Sequence, residues 1–290
     1  MPITRWMSLG ILGLSAAGCD RGETGGGNPA ATHGQHIVSL VPAITEALFE
    51  IGAGEQVVAV SDYCLDPEDA ARLPRVGTAL KPDLERIARM QPTLILAEDN
   101  KSAATEHLSA ISTARFLKWL TLDDVVSSLA ELGVVTGCSK RAEGLARDFA
   151  RTLKAPAPAD APTVLLVLGY NPGKLDEVWF IKDDSLHGAA LRAAGGRNAV
   201  LERVEGFPRL GLERLIGLDP EMVIVLSPHR EDQGLAEALL DDWREITALR
   251  AVRTGRLAAI ISPTVMSTGP RILQFTDRLA AEIRRLKAIQ

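Results

Sequence analysis

The chain has two tyrosines, and each follows an apolar run typical of a buried strand. Tyr63 comes after the run 57–60, and Tyr170 comes after the run 163–168. In open α/β sheets, ligands lie beyond the carboxyl ends of the strands. A tyrosine there offers a ligand both a flat aromatic face and a hydroxyl group. We therefore predict that both tyrosines contact a ligand; the alternative is that they pack over the ends of their strands.

Other residues in similar positions extend the predicted binding site. The loop that follows the run 257–261 is mildly apolar, and its Met266 suits a large, irregular ligand surface; ordinary loop packing is the alternative. Trp179 and Phe207 lie in loop-rich stretches of the second half, where burial is the alternative to facing a ligand. The predicted ligand-binding residues are Asp62, Tyr63, Cys64, Tyr170, Asn171, Phe207, Pro263, Thr264, Val265, Met266 and Ser267.

Catalytic and metal-binding motifs are poorly represented in the sequence. There is no G-x-S-x-G, H-E-x-x-H or C-x-x-C pattern, and the five histidines are scattered. The segment 169–174 superficially resembles a phosphate-binding loop, but only three residues separate its glycines and Leu175 replaces the required Ser or Thr. The net charge of −5 offers no basic stripe for nucleic acid. We predict a binding protein with no catalytic residue, resident metal or cofactor.

Two segments of the chain repeat one another, and each carries a glutamate at the same place. PDLERI at 82–87 precedes QPTLIL at 91–96, and GLERLI at 211–216 precedes DPEMVI at 219–224. The repeat indicates two homologous lobes. Glu85 and Glu213 then lie at matching positions. Either each merely decorates the first turn of a helix, where negative charge is favoured, or one carboxylate on each lobe meets a basic, two-fold symmetric partner.

Apolar runs alternate with helical patterns from residue 37 onwards, which predicts an α/β fold with mostly parallel sheets. We expect two Rossmann-like lobes, at 36–120 and 162–290, with the ligand cleft between them. The predicted strands are 37–41, 57–60, 93–97, 115–120, 163–168, 222–226 and 257–261. The predicted helices are 43–51, 84–90, 103–111, 186–194, 212–218, 235–243 and 271–286.

The segment 121–155 has apolar residues at helical spacing over about thirty residues. Thr121 is a suitable N-cap, because acidic residues follow it in the first turn. We predict one long α-helix that joins the lobes. Gly133 and Gly137 weaken its middle, and two ordinary helices are the alternative.

The first 19 residues are typical of an export signal, because a short apolar run follows Arg5 and small residues come next. That run is too short to span a bilayer. Cys19 follows Ala-Ala-Gly, which resembles a bacterial lipobox, although Ala16 stands where leucine is usual. Lipidation of Cys19 predicts a periplasmic or cell-surface lipoprotein anchored in a membrane; cleavage of an ordinary signal peptide nearby is the alternative. The Gly-rich residues 20–35 form a flexible tether in this interpretation.

Cys64 and Cys138 remain as thiols if Cys19 carries lipid. Two cysteines in an exported protein can form a disulfide. Cys64 lies in a predicted loop, whereas Cys138 lies in a helical stretch. We therefore expect two separate thiols.

Several motifs together resemble one family, the helical-backbone (class III) substrate-binding proteins of ABC importers, which bind vitamin B12, haem or iron siderophores. The resemblance runs from residue 37 to the C-terminus. It rests on IVSLVPAITE at 37–46, VSDY at 60–63, LERI at 84–87, AGGRN at 194–198 and GPRI at 269–272.

The vitamin B12-binding members of this family are the most similar. Tyr63 matches a tyrosine that contacts the corrinoid, the loop 263–267 matches a second contact loop, and GYNP at 169–172 is also similar. Ala79 and Phe207 stand where those proteins have tryptophans.

The resemblance implies a protein that delivers cobalamin or a related corrinoid, bound in a preformed cleft, to an ABC permease dimer. It also implies that Glu85 and Glu213 pair with permease arginines. Haem or a ferric siderophore is the alternative ligand. A surface enzyme built on the same scaffold is a third interpretation.

Overall fold

The structure is a computed structural model, and it describes residues 34–99, 104–171, 173–202, 208–229 and 233–289. The predicted signal, the predicted lipidation site Cys19 and most of the predicted tether lie outside the described residues. Phe207 lies outside them too, as does the side chain of Asn171. None of the described helices combines the length and apolar character that a membrane span requires.

The N-terminal lobe is built on a parallel sheet of four strands in the order β2-β1-β3-β4. Its central strands are buried on both faces, as apolar runs of this kind require. The strands are β1 (Ile37–Ser39), β2 (Val57–Val60), β3 (Leu94–Glu98) and β4 (Ala114–Leu117). The helices are α1 (Pro42–Glu50), α2 (Glu68–Ala71), α3 (Leu84–Arg89) and α4 (Ala104–Ile111), with a 3₁₀ turn at Gly54–Gln56.

The predicted long connecting helix is instead two helices, α5 (Leu122–Thr136) and α6 (Ser139–Leu153). Gly137 ends α5 in the left-handed conformation, with φ of 73°, which other residues adopt only with strain. The helices form an antiparallel hairpin, since Lys154 at the end of α6 pairs with Asp123 at the start of α5 at 3.3 Å. The hairpin packs closely because a Cβ on Gly133 would lie only 2.7 Å from that of Ala142.

The C-terminal lobe contains a mixed sheet in the order β10-β9-β5-β6-β8, and β7 pairs with β5. Strands β5, β9 and β10 are parallel, as predicted, whereas β6 runs antiparallel to both of its neighbours. The strands are β5 (Thr163–Asn171), β6 (Lys174–Phe180), β7 (Arg197–Asn198), β8 (Arg209–Gly211), β9 (Met222–Ser227) and β10 (Leu257–Ile261). The helices are α7 (Leu186–Ala193), α8 (Leu212–Leu218), α9 (Gln233–Arg244), α10 (Arg250–Arg253) and α11 (Ile272–Lys287).

The largest hydrophobic core is shared by the two lobes. It runs from Ile44 of α1 through Phe149 of the α5–α6 hairpin to Phe275 of α11, all of which are essentially inaccessible to solvent. Close packing of this kind has low compressibility, so it leaves little room for the two lobes to shift independently. The hairpin therefore joins the lobes along a packed surface rather than through a flexible linker.

Candidate ligand-binding site

Tyr63 projects into solvent from a firmly anchored turn after β2. Its side chain is 68% exposed. Arg75 Nη1 donates to the carbonyl oxygens of Ser61 and Cys64, at 2.8 Å each, and the Asp62 amide donates to the Gly77 carbonyl at 2.8 Å. A large aromatic side chain thus stands exposed on a rigid backbone, with the exposed Asp62 beside it.

Cys64, another predicted contact, points the other way. Its side chain is fully buried, and its Sγ lies 3.1 Å from both Thr45 Oγ1 and Ser61 Oγ. The Cys64 thiol therefore anchors the Tyr63 turn from beneath, and its side chain has no surface exposed to a ligand. Cys64 and Cys138 are separate buried thiols, as expected.

Tyr170 packs against α9 rather than standing free. Its hydroxyl donates to the Leu239 carbonyl at 2.9 Å, and its ring meets the Trp243 ring edge-on with centroids 6.1 Å apart. Burial, together with the nearby Asp242 carboxylate, raises the pKa of Tyr170 well above its ordinary value. The structure therefore matches the packing alternative for Tyr170, and its hydroxyl is already engaged by the protein.

The loop after β10 presents some of its predicted residues and buries another. Pro263 is exposed and Met266 is 42% exposed, whereas Val265 is buried. The buried Val265 side chain thus holds the loop against the lobe and has almost no surface exposed to a ligand. The loop is held in place because His187 Nε2 donates to the Val265 carbonyl at 2.8 Å and the hydroxyls of Ser262 and Thr264 lie 2.9 Å apart.

The Tyr63 turn and the loop after β10 meet through a group of charges that sequence reasoning did not assign to the site. Arg271 Nη2 lies 2.8 Å from Glu46 Oε1, and Arg271 Nη1 lies 2.8 Å from Asp66 Oδ2. Ser267 Oγ donates to Glu46 Oε2 at 2.9 Å. Burial acts to lower the pKa of Arg271, but the two carboxylates outweigh it and raise that pKa. The one sequence signal was Glu46, a charged residue that lies between the apolar Ile44 and Leu48 of α1.

Two further side chains lie near strand ends: the sequence left Trp179 open between facing a ligand and burial, and it did not assign His229 to the site. Trp179 lies on β6, not in a loop; it is 49% exposed, and a Cβ on Gly169 would lie 3.2 Å from its ring. His229 is exposed after β9, and its Nδ1 lies 2.8 Å from Ser227 Oγ. The rule that led to the tyrosines would have found His229 as well.

The two glutamates of the repeat are both exposed in the first turn of a helix. Glu85 lies in α3, whose N-cap Asp83 accepts a hydrogen bond from the Arg86 amide at 3.0 Å. Glu213 lies in α8. Exposed apolar side chains accompany both glutamates, namely Leu80 near α3 and Leu212 and Ile216 on α8. Each lobe thus presents a carboxylate beside apolar surface.

Two surface cavities lie apart from the Tyr63 turn and the loop after β10. One of about 290 Å³ lies beside the start of α8 and is lined by Leu212 and by the carboxylates Asp176, Asp242 and Glu245, among others. The other, of about 490 Å³, lies between the α5–α6 hairpin and α7. Within the described part of the chain, no group of three or more His, Cys, Asp or Glu side chains could hold a metal ion.

The family of the chain follows from its sequence. Residues 37–264 match the periplasmic binding protein family, and the chain belongs to that family.

Particular members are similar over most of their length. The vitamin B12-binding protein of Pectobacterium atrosepticum is 29% identical over 203 residues, which cover 66% of this chain and 71% of that protein. The periplasmic haem-binding protein of Vibrio cholerae superposes with a TM-score of 0.71 at 22% identity, covering 85% of this chain and 98% of that structure. The vitamin B12-binding protein of Vibrio cholerae superposes with a TM-score of 0.67 at 20% identity, covering 88% of this chain and 98% of that structure. The two structural similarities concern the fold.

Proposed function

We propose that this protein is the extracytoplasmic substrate-binding protein of an ABC importer and that its ligand is cobalamin or a related corrinoid. The observation that carries the proposal is Tyr63, a 68% exposed aromatic side chain on an anchored turn at the carboxyl end of β2. Solvent-exposed aromatic surface on a rigid backbone is typical of a binding site for a large flat ligand.

The chemistry of the residues proposed to contact the ligand suits a corrinoid. Tyr63, Met266 and Trp179 offer apolar and aromatic surface for the macrocycle. Asp62, Thr264 and Ser267 offer oxygen atoms that can accept hydrogen bonds from the amide groups at its edge. The predicted contact residues include no lysine or arginine, and a strongly acidic siderophore would need such charges. The vitamin B12-binding relatives support the same ligand.

Haem is a second candidate ligand, because two exposed side chains at strand ends could ligate its iron. These are the phenol of Tyr63 and the imidazole of His229, whose Nδ1 is held by Ser227. Cys64 and Tyr170, the other predicted contacts with a side chain able to ligate iron, are respectively buried and hydrogen-bonded within the lobe.

Delivery to the importer would use Glu85 and Glu213. Their side chains lie at equivalent positions of the two lobes, so they match a permease dimer with one basic group on each subunit. Charged pairs at the rim of an interface guide association and orientation more than they add affinity.

Anchoring of the protein would use Cys19, lipidated in the outer leaflet of a membrane, with residues 20–35 as the tether to the lobes. The N-terminal lobe would then occupy 36–120, the connecting segment 121–155 and the C-terminal lobe 162–290. Replacing Cys19 with Ser is expected to release the protein from membranes in a fractionation experiment. Continued membrane association would refute the lipid anchor.

Calorimetric titration of the unlipidated Cys19→Ser protein tests the ligand. Cyanocobalamin, haemin and several ferric siderophores are titrated in parallel under identical conditions. We expect one-to-one binding of cyanocobalamin and no binding of the others. Binding of haemin alone would favour the second candidate, and a siderophore binding alone would overturn both.

A further inference from the structure

We propose that Arg271 is a positioning residue of the ligand cleft, which fixes the two lobes relative to each other before the ligand arrives. The proposal rests on the proposed function, because it concerns the binding of the same ligand. It assigns to Glu46, Asp66 and Arg271 a role in ligand affinity, although none of them needs to touch the ligand.

The contacts of Arg271 cross from one lobe to the other. Arg271 precedes α11 of the C-terminal lobe, and its two terminal nitrogens each lie 2.8 Å from a carboxylate of the N-terminal lobe, one from Glu46 and one from Asp66. Glu46 is only 8% exposed, and it also accepts from Ser267 of the C-terminal lobe at 2.9 Å. Trp119 adds a further contact between the lobes, since its Nε1 donates to the Thr268 carbonyl at 3.0 Å.

Gly269 shows how closely the lobes approach at this point. A Cβ there would lie 2.5 Å from Glu46 Oε2 and 3.1 Å from the Cα of Ala43 in α1. No side chain fits such a gap without movement of α1 or of the loop. The backbone of one lobe therefore rests directly on a helix of the other.

These contacts lie next to the residues proposed to bind the ligand. Asp66 comes three residues after Tyr63 in the same turn, and Ser267 directly follows Met266. Arg271 thus ties the turn that carries Tyr63 to the loop that carries Met266. The planar guanidinium fixes the directions of its hydrogen bonds, which an ammonium group does not.

A fixed cleft has a direct consequence for affinity. The dissociation constant of a protein rises in inverse proportion to the fraction of molecules that hold the binding geometry. If loss of the Arg271 contacts leaves roughly a tenth of the molecules in that geometry, the dissociation constant rises about tenfold. A purely structural ion pair would lower stability without changing the distance between the lobes.

The test combines ligand titration with a distance measurement between the lobes. Arg271→Gln alone leaves Glu46 buried without its partner, so the double variant Glu46→Gln, Arg271→Gln is made as well, because it removes both charges and is the more certain to fold. Both are built in the full chain with Cys19→Ser. Spin labels are attached to cysteines introduced at Leu80 and Leu201, which are exposed on different lobes, while Cys64 and Cys138 are buried.

We expect a narrow distance distribution in the ligand-free parent protein, a broader one in both variants, and an approximately tenfold weaker affinity for cyanocobalamin. Arg271→Lys should restore part of the narrow distance distribution and part of the affinity, since a lysine ammonium can pair with one of the two carboxylates. An unchanged distribution overturns the proposal, whatever happens to the affinity. An unchanged affinity with a broader distribution overturns it too.

Matched controls separate the cleft from general stability. Arg192→Gln breaks an ion pair of the same length, 2.8 Å to Asp183, that lies within the C-terminal lobe, so it should leave both readouts unchanged. Gly269→Ala inserts a methyl group between the lobes. It should broaden the distribution of distances between the spin labels although every charged side chain is retained. Gly144→Ala is its control, because a Cβ there would meet nothing closer than 3.9 Å. If the parent protein binds no cyanocobalamin, the proposed ligand is wrong. The distance measurement still tests whether Arg271 fixes the lobes relative to each other.

Discussion

His187 and Val265 are joined by a hydrogen bond of 2.8 Å from the imidazole Nε2 to the backbone carbonyl, which ties α7 to the loop after β10. The imidazole is buried, and its ring lies 5.4 Å from that of Phe275. Burial lowers the pKa of His187 below its ordinary value of 6.5, although the Val265 carbonyl acts to raise it. Burial therefore favours the neutral form of the histidine that holds the loop proposed to contact the ligand.

The first prediction concerns pH. Because the folded-state pKa of His187 is depressed, the unfolded chain binds the extra proton first as the pH falls. The stability that depends on neutral His187 is complete above pH 6.5 and is lost as the pH falls below that value. His187→Gln should show a weaker dependence of the unfolding free energy on pH, as measured by urea denaturation. His107→Gln, an exposed histidine of α4, is the control and should keep the parental dependence.

The second prediction concerns Tyr63. Tyr63→Ala should raise the dissociation constant for cyanocobalamin at least about tenfold, because it removes an exposed aromatic contact. The free energy of unfolding should change by less than about 0.5 kcal/mol, since the side chain is largely in solvent. Calorimetry and urea denaturation measure the two effects. A parental dissociation constant in Tyr63→Ala would remove this residue from the site.

Tyr63→Phe then separates the two candidate ligands. A corrinoid that packs against the ring keeps its affinity in Tyr63→Phe, whereas haem ligated through the phenol oxygen loses that bond. Absorption spectra of bound haemin provide the second readout.

The third prediction concerns Tyr170→Phe, for which we expect a loss of stability and no loss of affinity. This change removes the hydrogen bond to the Leu239 carbonyl and should lower the free energy of unfolding by about 1 kcal/mol. Ligand affinity should stay as in the parent, because the hydroxyl belongs to the packing between β5 and α9. A weaker affinity with unchanged stability would return Tyr170 to the binding site.

The main strands could be predicted from the sequence because each is a short, continuous apolar run. Strands β2, β9 and β10 begin where predicted or within a residue of it. Strand β6 was missed because its residues, KLDEVWF, mix charged and apolar side chains without a continuous apolar run or regular alternation, and the turn at Gly173 before it was considered only as a false phosphate loop. Gly137 was recognised as a weak point of the predicted long helix. Whether a glycine ends a helix, however, depends on how the next helix packs.

The site was harder to predict, because the position of a residue after a strand does not fix the direction of its side chain. Tyr63 and Cys64 are neighbours, yet one is exposed and the other is held inward by Thr45 and Ser61. The pairing of Glu46 with Arg271 joins residues 225 positions apart, and no local pattern reports such a contact. Sequence reasoning found the strand ends, whereas tertiary contacts decide which side chains face a ligand.

The last prediction concerns delivery to the importer. Reversing both charges, with Glu85→Lys and Glu213→Lys, should abolish the stimulation of the importer's ATPase by the loaded protein, because repulsion replaces attraction at both lobes. Ligand affinity should not change, since both side chains are exposed in the first turns of α3 and α8 and make none of the contacts that hold the Tyr63 turn or the loop after β10. ATPase assays with the permease in liposomes and calorimetry measure these two quantities.

The control for this prediction reverses two other exposed glutamates, Glu106 of α4 and Glu237 of α9, one on each lobe. It changes the net charge by the same amount, so it separates a specific docking contact from a general effect of charge. Loss of stimulation in this control as well would show that net charge, not Glu85 and Glu213, governs the encounter. Full stimulation by the Glu85→Lys, Glu213→Lys protein would refute docking through the two glutamates.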